Sequence, residues 1–312
     1  MKIFVIGGTG LVGSYLLPKL INQQYEVEAL TRSENKIKKI TDLGAKGIIG
    51  DILNPTSFSY KINRPDFIVL LAMPGIKPGK RVSKKRKKEL RQETNAFFKN
   101  TLDLALRFKI PVILPGGTSY KTKNNEIADE TWPILRKGIT EIGTDTDNMI
   151  SEAIKSGNPK IIQLIYGKIY GNGGLFKFMY EMMEKGRFRI LGNGNNYIPN
   201  IHAEDAAEAI IKAIENKPFG EKLIISDDEP VTQKDFSNYM AQCMDKRSLK
   251  HVPSFIIKLI IGNDLYQVIN MNCKVTNEKA KKILGWKLKY PSYKDGLPNV
   301  IKELGNKKPL FN

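Results

Sequence analysis

The sequence predicts an α/β protein: a doubly wound parallel sheet followed by a smaller C-terminal lobe. Three observations predict it. Short apolar runs alternate with amphipathic stretches through the first half of the chain, a glycine-rich turn follows the first run directly, and beyond Gly171 the rhythm loosens into shorter, glycine-punctuated pieces.

Six runs read as strands, in order KIFVIGG (2 to 8), EVEALTR (26 to 32), KGIIGD (46 to 51), FIVLLA (67 to 72), PVILPGG (111 to 117) and IIQLIYG (161 to 167). Their alternation with amphipathic stretches is the pattern of βα units on a parallel sheet. Between the fourth and fifth, Leu90, Thr94, Phe97, Thr101, Leu104 and Phe108 recur at steps of three and four, which predicts a helix beginning near Leu90 with one apolar stripe against the sheet. After Gly171 come a glycine-rich segment, a strand and helix at IPNIHAEDAAEAIIKAI, the run LIISD and shorter helices. The expected division is a nucleotide-binding domain over residues 1–170, a smaller substrate-binding lobe over 171–312, and a return of about 198–216 to the core.

Composition narrows the class. With 312 residues, 41% hydrophobic and 26% charged, the chain can bury a large core. No apolar run approaches the roughly 18 residues of a membrane-spanning helix, and Met1 lies one residue before an apolar strand, so a cytoplasmic protein without a membrane segment is expected. Cys243 and Cys273 lack metal or redox spacing, and two histidines, His202 and His251, argue against a zinc or haem site; no metal is expected. Nothing in the pattern specifies an oligomeric state.

The turn GGTGLVG places Gly7, Gly10 and Gly13 as GxxGxxG between a strand and a helix. Gly7 permits the tight turn, Gly10 lets the backbone approach a pyrophosphate, and Gly13 lets helix and strand pack closely. Thr9, Leu11 and Val12 complete this cradle, where the first helical N–H groups face the phosphates. At the end of the second strand an NAD-preferring site would carry Asp or Glu, whereas Thr31 and Arg32 stand here. Arg32, with Lys36, suits a 2′-phosphate, so NADP(H) is favoured over NAD(H).

With these pieces the chain resembles an extended short-chain dehydrogenase/reductase of the NAD-dependent epimerase/dehydratase family, with its Rossmann-type fold. The likeness is carried by GGTGLVG, GDILNP, LLAMPG, ETNAFFKNTLDLA with Asn95, KIYGNGG, PNIHAEDAAEAI with His202 and Asp205, and the tail KILGWKLKYPSYKDGL. It implies that Asp51 and Ile52 lie near the adenine, that Ala72 lines the cofactor, that His202 is structural, and that a small-molecule substrate sits between the lobes.

The family's chemistry uses a Ser or Thr after the fifth strand and a Tyr-x-x-x-Lys pair on the next helix. Counting back from IIQLIYGKIYG puts that pair near Glu141 and Asp145, in GITEIGTDTDNMISE, which contains neither residue type. The matches Tyr15 to Lys19 and Tyr290 to Lys294 read as chance, and Ile165 and Tyr166 replace the family's arginine and proline. Thr118 and Ser119 follow the fifth strand, and Tyr120 and Tyr166 are the candidate replacement acids, each with packing as its plainer role. Asp129 and Glu130 read as a solvated loop. The expectation is therefore an atypical NADP(H)-dependent oxidoreductase, with two alternatives: a noncatalytic binder or sensor, and an RNA-binding protein on the same fold.

The third alternative comes from the charge. Of the net +18, residues 77–91, KPGKRVSKKRKKELR, hold nine Lys or Arg against one Glu. Cations before a helix oppose its dipole, so helix stability does not account for them. They read as a solvated loop or as a contact for an anionic partner or RNA, as in the family's side branch of chloroplast stem-loop RNA-binding proteins.

Overall fold

The computed structural model describes residues 1–123 and 126–306. Its six strands β1 (Lys2–Ile6), β2 (Glu26–Thr31), β3 (Lys46–Ile49), β4 (Phe67–Leu70), β5 (Val112–Gly117) and β6 (Ile161–Tyr166) fall on the six predicted runs. A seventh, Lys222–Ile225, lies beyond β6, and all pairings in the sheet are parallel. The order is Lys222–Ile225, β6, β5, β4, β1, β2, β3, so the direction of winding reverses between β1 and β4. That reversal opens a crevice at the carboxyl ends of these two strands, where such sheets bind ligands.

Eleven helices follow the chain among the described residues: α1 (Leu11–Asn22), α2 (Glu34–Asp42), α3 (Lys84–Phe108), α4 (Thr144–Ser156), α5 (Gly174–Glu184), α6 (Ala203–Asn216), α7 (Gln233–Cys243), α8 (Ser254–Ile261), α9 (Asn263–Ile269), α10 (Glu278–Leu284) and α11 (Tyr293–Asn306). On one face of the sheet, Leu16, Leu17 and Leu20 of α1 pack with Ile210 and Ile214 of α6 and with Trp286. On the other, Phe97 and Leu104 of α3 and Ile150 of α4 cover Phe4, Ile68 and Val112.

The return to the core runs past residue 216. Lys222–Ile225 supplies the edge strand, and Ala280 and Leu284 of α10 join the core beside α6. The smaller lobe is a separate cluster in which α5, α7 and α11 bury Phe176, Met183, Phe236 and Leu297 around Tyr170. Residues 307–312 of the predicted lobe lie outside the described residues.

One helix boundary differs from expectation. Leu90, Thr94, Phe97, Thr101 and Leu104 of the predicted stripe are buried and Phe108 at its end is half-buried, but α3 begins at Lys84. Ser83 caps it, its Oγ accepting from the Arg86 N–H at 3.1 Å. From Lys84 onward the basic run is therefore the first turns of a helix, and part of it is paired: Arg86 with Glu89 and Glu93, Lys87 with Glu141 and Asp264, and Arg91 with Asp145. The cap and these carboxylates offset the dipole penalty that a bare row of cations would impose.

Candidate nucleotide-binding site and the remodelled catalytic helix

Three glycines shape the β1–α1 turn. Gly7 has φ +94°, and a Cβ there would lie 2.5 Å from the Ala72 nitrogen, so the ends of β1 and β4 meet only because no side chain intervenes. A Cβ on Gly13 would stand 2.3 Å from the Gly8 oxygen, which fixes how closely α1 crosses β1. The Gly10 N–H donates to the Gly7 carbonyl at 3.0 Å, and the Ser14 N–H to the Gly10 carbonyl at 2.9 Å. No side chain caps α1, and no acid stands in its first turn. The N–H groups of Leu11, Val12 and Gly13 thus face outward beside Thr9 with the positive end of the helix behind them, a fit for an anionic pyrophosphate.

The neighbouring strand ends supply the rest. Ala72 is pinned by its N–H to the Ile6 carbonyl, 3.0 Å. Asp51 is held through its N–H to Ser57 Oγ (3.1 Å) and through Oδ1, which accepts from the Leu53 N–H (3.0 Å). Ile52 is buried, and its carbonyl accepts from Asn100 Nδ2 at 2.7 Å. Arg32 projects from the end of β2 into solvent with Nη1 3.9 Å from Asp51 Oδ2. At that separation and exposure the pair is weak, and the guanidinium can turn to another anion.

The helix that should carry the reactive pair is built differently. Residues Gly138–Gly143 form a short 3₁₀ turn leading into α4. Glu141 accepts from Lys87 Nζ at 2.7 Å, and Lys87 also reaches Asp264 of α9 at 3.0 Å. Asp145 accepts from Arg91 Nε and from Asn95 Nδ2, both at 2.7 Å. Arg91, then Asn95, draws the Asp145 carboxyl down to about 2. Both positions are thus carboxylates committed to ion pairs, and Asp145, held this low, has no transferable proton near neutral pH.

The two candidate tyrosines are core residues. Tyr120 is 1% exposed and packs with Ile165, Ile224 and Cys273. Tyr166 is 6% exposed, its hydroxyl buried without a hydrogen-bond partner among the described residues. Burial raises both phenols above their ordinary value. Thr118 is half-buried at the carboxyl end of β5, its N–H donating to the Tyr166 carbonyl at 2.9 Å. Ser119 is turned inward, its hydroxyl donating to the Leu135 carbonyl.

The remaining candidates are structural. His202 caps α6, its Nδ1 accepting from the Glu204 N–H at 3.0 Å, and burial lowers it to about 4, so the ring is neutral. Asp205 accepts the N–H groups of Lys289 and Tyr290. Glu130, expected in a solvated loop, accepts the Ile224 N–H at 2.7 Å and so ties down the edge strand, while Asp129 caps its own turn through Thr131. Tyr15 bonds Glu303, Lys19 pairs with Glu204 and Glu208, and Lys294 pairs with Glu229, so neither stray Tyr-x-x-x-Lys match forms a reactive unit.

One residue escaped the sequence reading. Lys168, just past β6, is solvent-accessible, and its N–H donates to the Pro199 carbonyl at 2.7 Å. No carboxylate pairs with it among the described residues, and desolvation by the surrounding protein lowers its ammonium to about 8, with Cys273 the one ionisable neighbour of note. Its signal in the sequence was a single cation inside the otherwise apolar IIQLIYGKIYG. Lys168 stands at the carboxyl end of the sheet, in the same quarter as Thr118.

Comparison with known proteins agrees with this architecture. A model of the NAD dependent epimerase/dehydratase family matches residues 3–225. The chain is 24% identical over 308 residues to the chloroplastic epimerase family protein SDR39U1 homolog of Arabidopsis thaliana, covering 96% of this chain and 87% of that protein. Among solved structures, the human epimerase family protein SDR39U1 with NADPH superimposes with a TM-score of 0.75 at 18% identity, over 97% of this chain and 99% of that one. The UDP-glucose 4-epimerase of Thermus thermophilus in complex with NAD gives 0.80 at 17% identity, over 98% and 99%.

Proposed function

The chain belongs to the NAD dependent epimerase/dehydratase family, and on that premise we propose that it is an NADP(H)-dependent oxidoreductase of a small carbonyl or alcohol substrate, working without a Tyr-x-x-x-Lys pair. The observation that carries the reading is the uncapped, acid-free N-terminus of α1, set behind the close Gly7–Ala72 approach, with Arg32 beside it where NAD-preferring sites carry an acid. The N–H groups of Leu11, Val12 and Gly13 hold the pyrophosphate, and Arg32 takes the 2′-phosphate as a charge-assisted partner. The NADPH named with the human neighbour supports that choice.

When bound, the cofactor supplies hydride chemistry. This chain's own groups have to hold the substrate oxygen and manage its proton. Thr118 Oγ1 and Lys168 Nζ are the groups suited to it: the hydroxyl orients the oxygen, and an ammonium lowered to about 8 carries a proton it can release near neutral pH. Glu141 and Asp145 take no part.

The experiment is a pair of fluorescence titrations with NADPH and NADH, followed by NADPH consumption across a panel of small aldehydes and ketones. Tighter binding of NADPH than of NADH, with turnover of a panel member, is the expected result. A second reading, a noncatalytic binder, is favoured by the Arg91–Asp145–Asn95 network that fills the reactive pair's place. Tight NADPH binding with no turnover of any carbonyl would establish that reading, and binding of neither dinucleotide would dismiss both.

A further inference from the structure

Helix α8, SFIIKLII, exposes three large apolar side chains that neither the fold nor the nucleotide-binding site accounts for. Phe255 and Leu259, one turn apart, are 73% and 79% exposed, and Ile260 beside them is 59% exposed, while Ile257 faces inward. Isolated exposed apolar residues are ordinary; three large ones on an eight-residue helix are not. The helix abuts the basic segment. A Cβ on Gly262, which ends α8, would lie 3.1 Å from the Arg81 side chain, and Lys87 of α3 pairs with Asp264 in the first turn of α9.

The ion pairs described above absorb Arg86, Lys87 and Arg91. Six cations of the same segment, Lys77, Lys80, Arg81, Lys84, Lys85 and Lys88, are exposed and carry no ion pair among the described residues. Lys258 adds another on α8 itself, lying over the Tyr266 ring.

We propose that α8 and the start of α3 together form a docking face for an anionic phospholipid surface, with Phe255, Leu259 and Ile260 entering the interface and the cations meeting the headgroups. Three arguments select this occupant. A second copy of the chain, applied through the same patch, would set cation against cation. Single-stranded RNA would find Phe255 as the exposed ring of the patch, Tyr266 being half-buried beneath Lys258, and Leu259 and Ile260 give bases nothing to stack on. A bilayer surface supplies apolar depth and negative charge side by side, the combination that interfacial amphipathic helices use. No helix among the described residues is long and apolar enough to cross a membrane, so the contact is peripheral.

The test is co-sedimentation of the full chain with vesicles of phosphatidylcholine alone and of phosphatidylcholine with phosphatidylglycerol, beside binding to a single-stranded RNA oligonucleotide at the same salt. The variants are Phe255→Ser/Leu259→Ser and Lys80→Glu/Lys84→Glu, each first shown to keep the wild-type melting temperature and NADPH affinity. The expected result is binding to the anionic vesicles only, weakened by about tenfold or more in each variant and falling with added salt. Absence of binding to anionic vesicles at low salt would overturn the proposal. So would vesicle binding unchanged in Phe255→Ser/Leu259→Ser, or RNA binding without vesicle binding.

Discussion

The β1–α1 turn and the α4 region lie on the same nucleotide-binding core and have met opposite fates. At the turn, the requirements are backbone requirements. Gly7 and Gly13 leave no room for a Cβ, and the backbone N–H groups of the uncapped helix N-terminus attract anions. At α4 the family's chemistry rests on two side chains, and here both positions hold carboxylates locked to Lys87, Arg91 and Asn95. Binding built from backbone is lost only by breaking the fold, whereas chemistry built from side chains is exchanged by substitution on an intact helix.

The largest effect should come from breaking the turn itself. Gly13→Val pushes side-chain atoms into the Gly8 backbone, where overpacking costs about 1–3 kcal/mol or more, and the expected outcome is a lowered melting temperature with NADPH binding abolished. Next, Arg32→Glu should weaken NADPH by tenfold to a hundredfold, since a hydrogen bond to a charged group contributes roughly 1.5–3 kcal/mol, while leaving NADH equal or improved; paired titrations read the switch.

Lys168→Met sharpens the chemical half of the comparison. It should leave the NADPH dissociation constant unchanged and lower turnover of any carbonyl found in the panel by about a hundredfold, the usual scale of one acid–base group. In the reductive direction the ammonium must be protonated, so the wild-type rate should fall as pH rises through about 8, and this break should vanish in the variant. The smallest effect belongs to Arg91→Ala. Both partners are exposed to solvent, so the loss should be small, seen as a melting temperature lower by about a few degrees at most and less so in high salt.

Much of the nucleotide-binding half was legible because its determinants are local. Strands buried on both faces are largely apolar, and a glycine whose Cβ has no room is visible as a glycine. The start of α3 was not, because what steadies its cations is distant in sequence: Glu141 and Asp145 lie 54 residues from Lys87 and Arg91. Glu130 looked like a loop acid because its partner, the Ile224 N–H, arrives only when the edge strand docks. Lys168 looked like an interruption in an apolar run, and the protein groups that lower its ammonium gather around it only in the fold. Tyr120 and Tyr166 carried the right chemistry in the right sequence neighbourhood, and their burial was invisible there.

The most direct test of the contrast is the NADPH dissociation constant measured in parallel for wild type, Arg32→Ala and Asp145→Asn. Arg32→Ala should weaken NADPH by about tenfold or more while Asp145→Asn leaves it within about twofold of wild type. Equal loss in both variants, or loss in Asp145→Asn alone, would mean that α4 still takes part in holding the cofactor and would contradict the separation of the two regions.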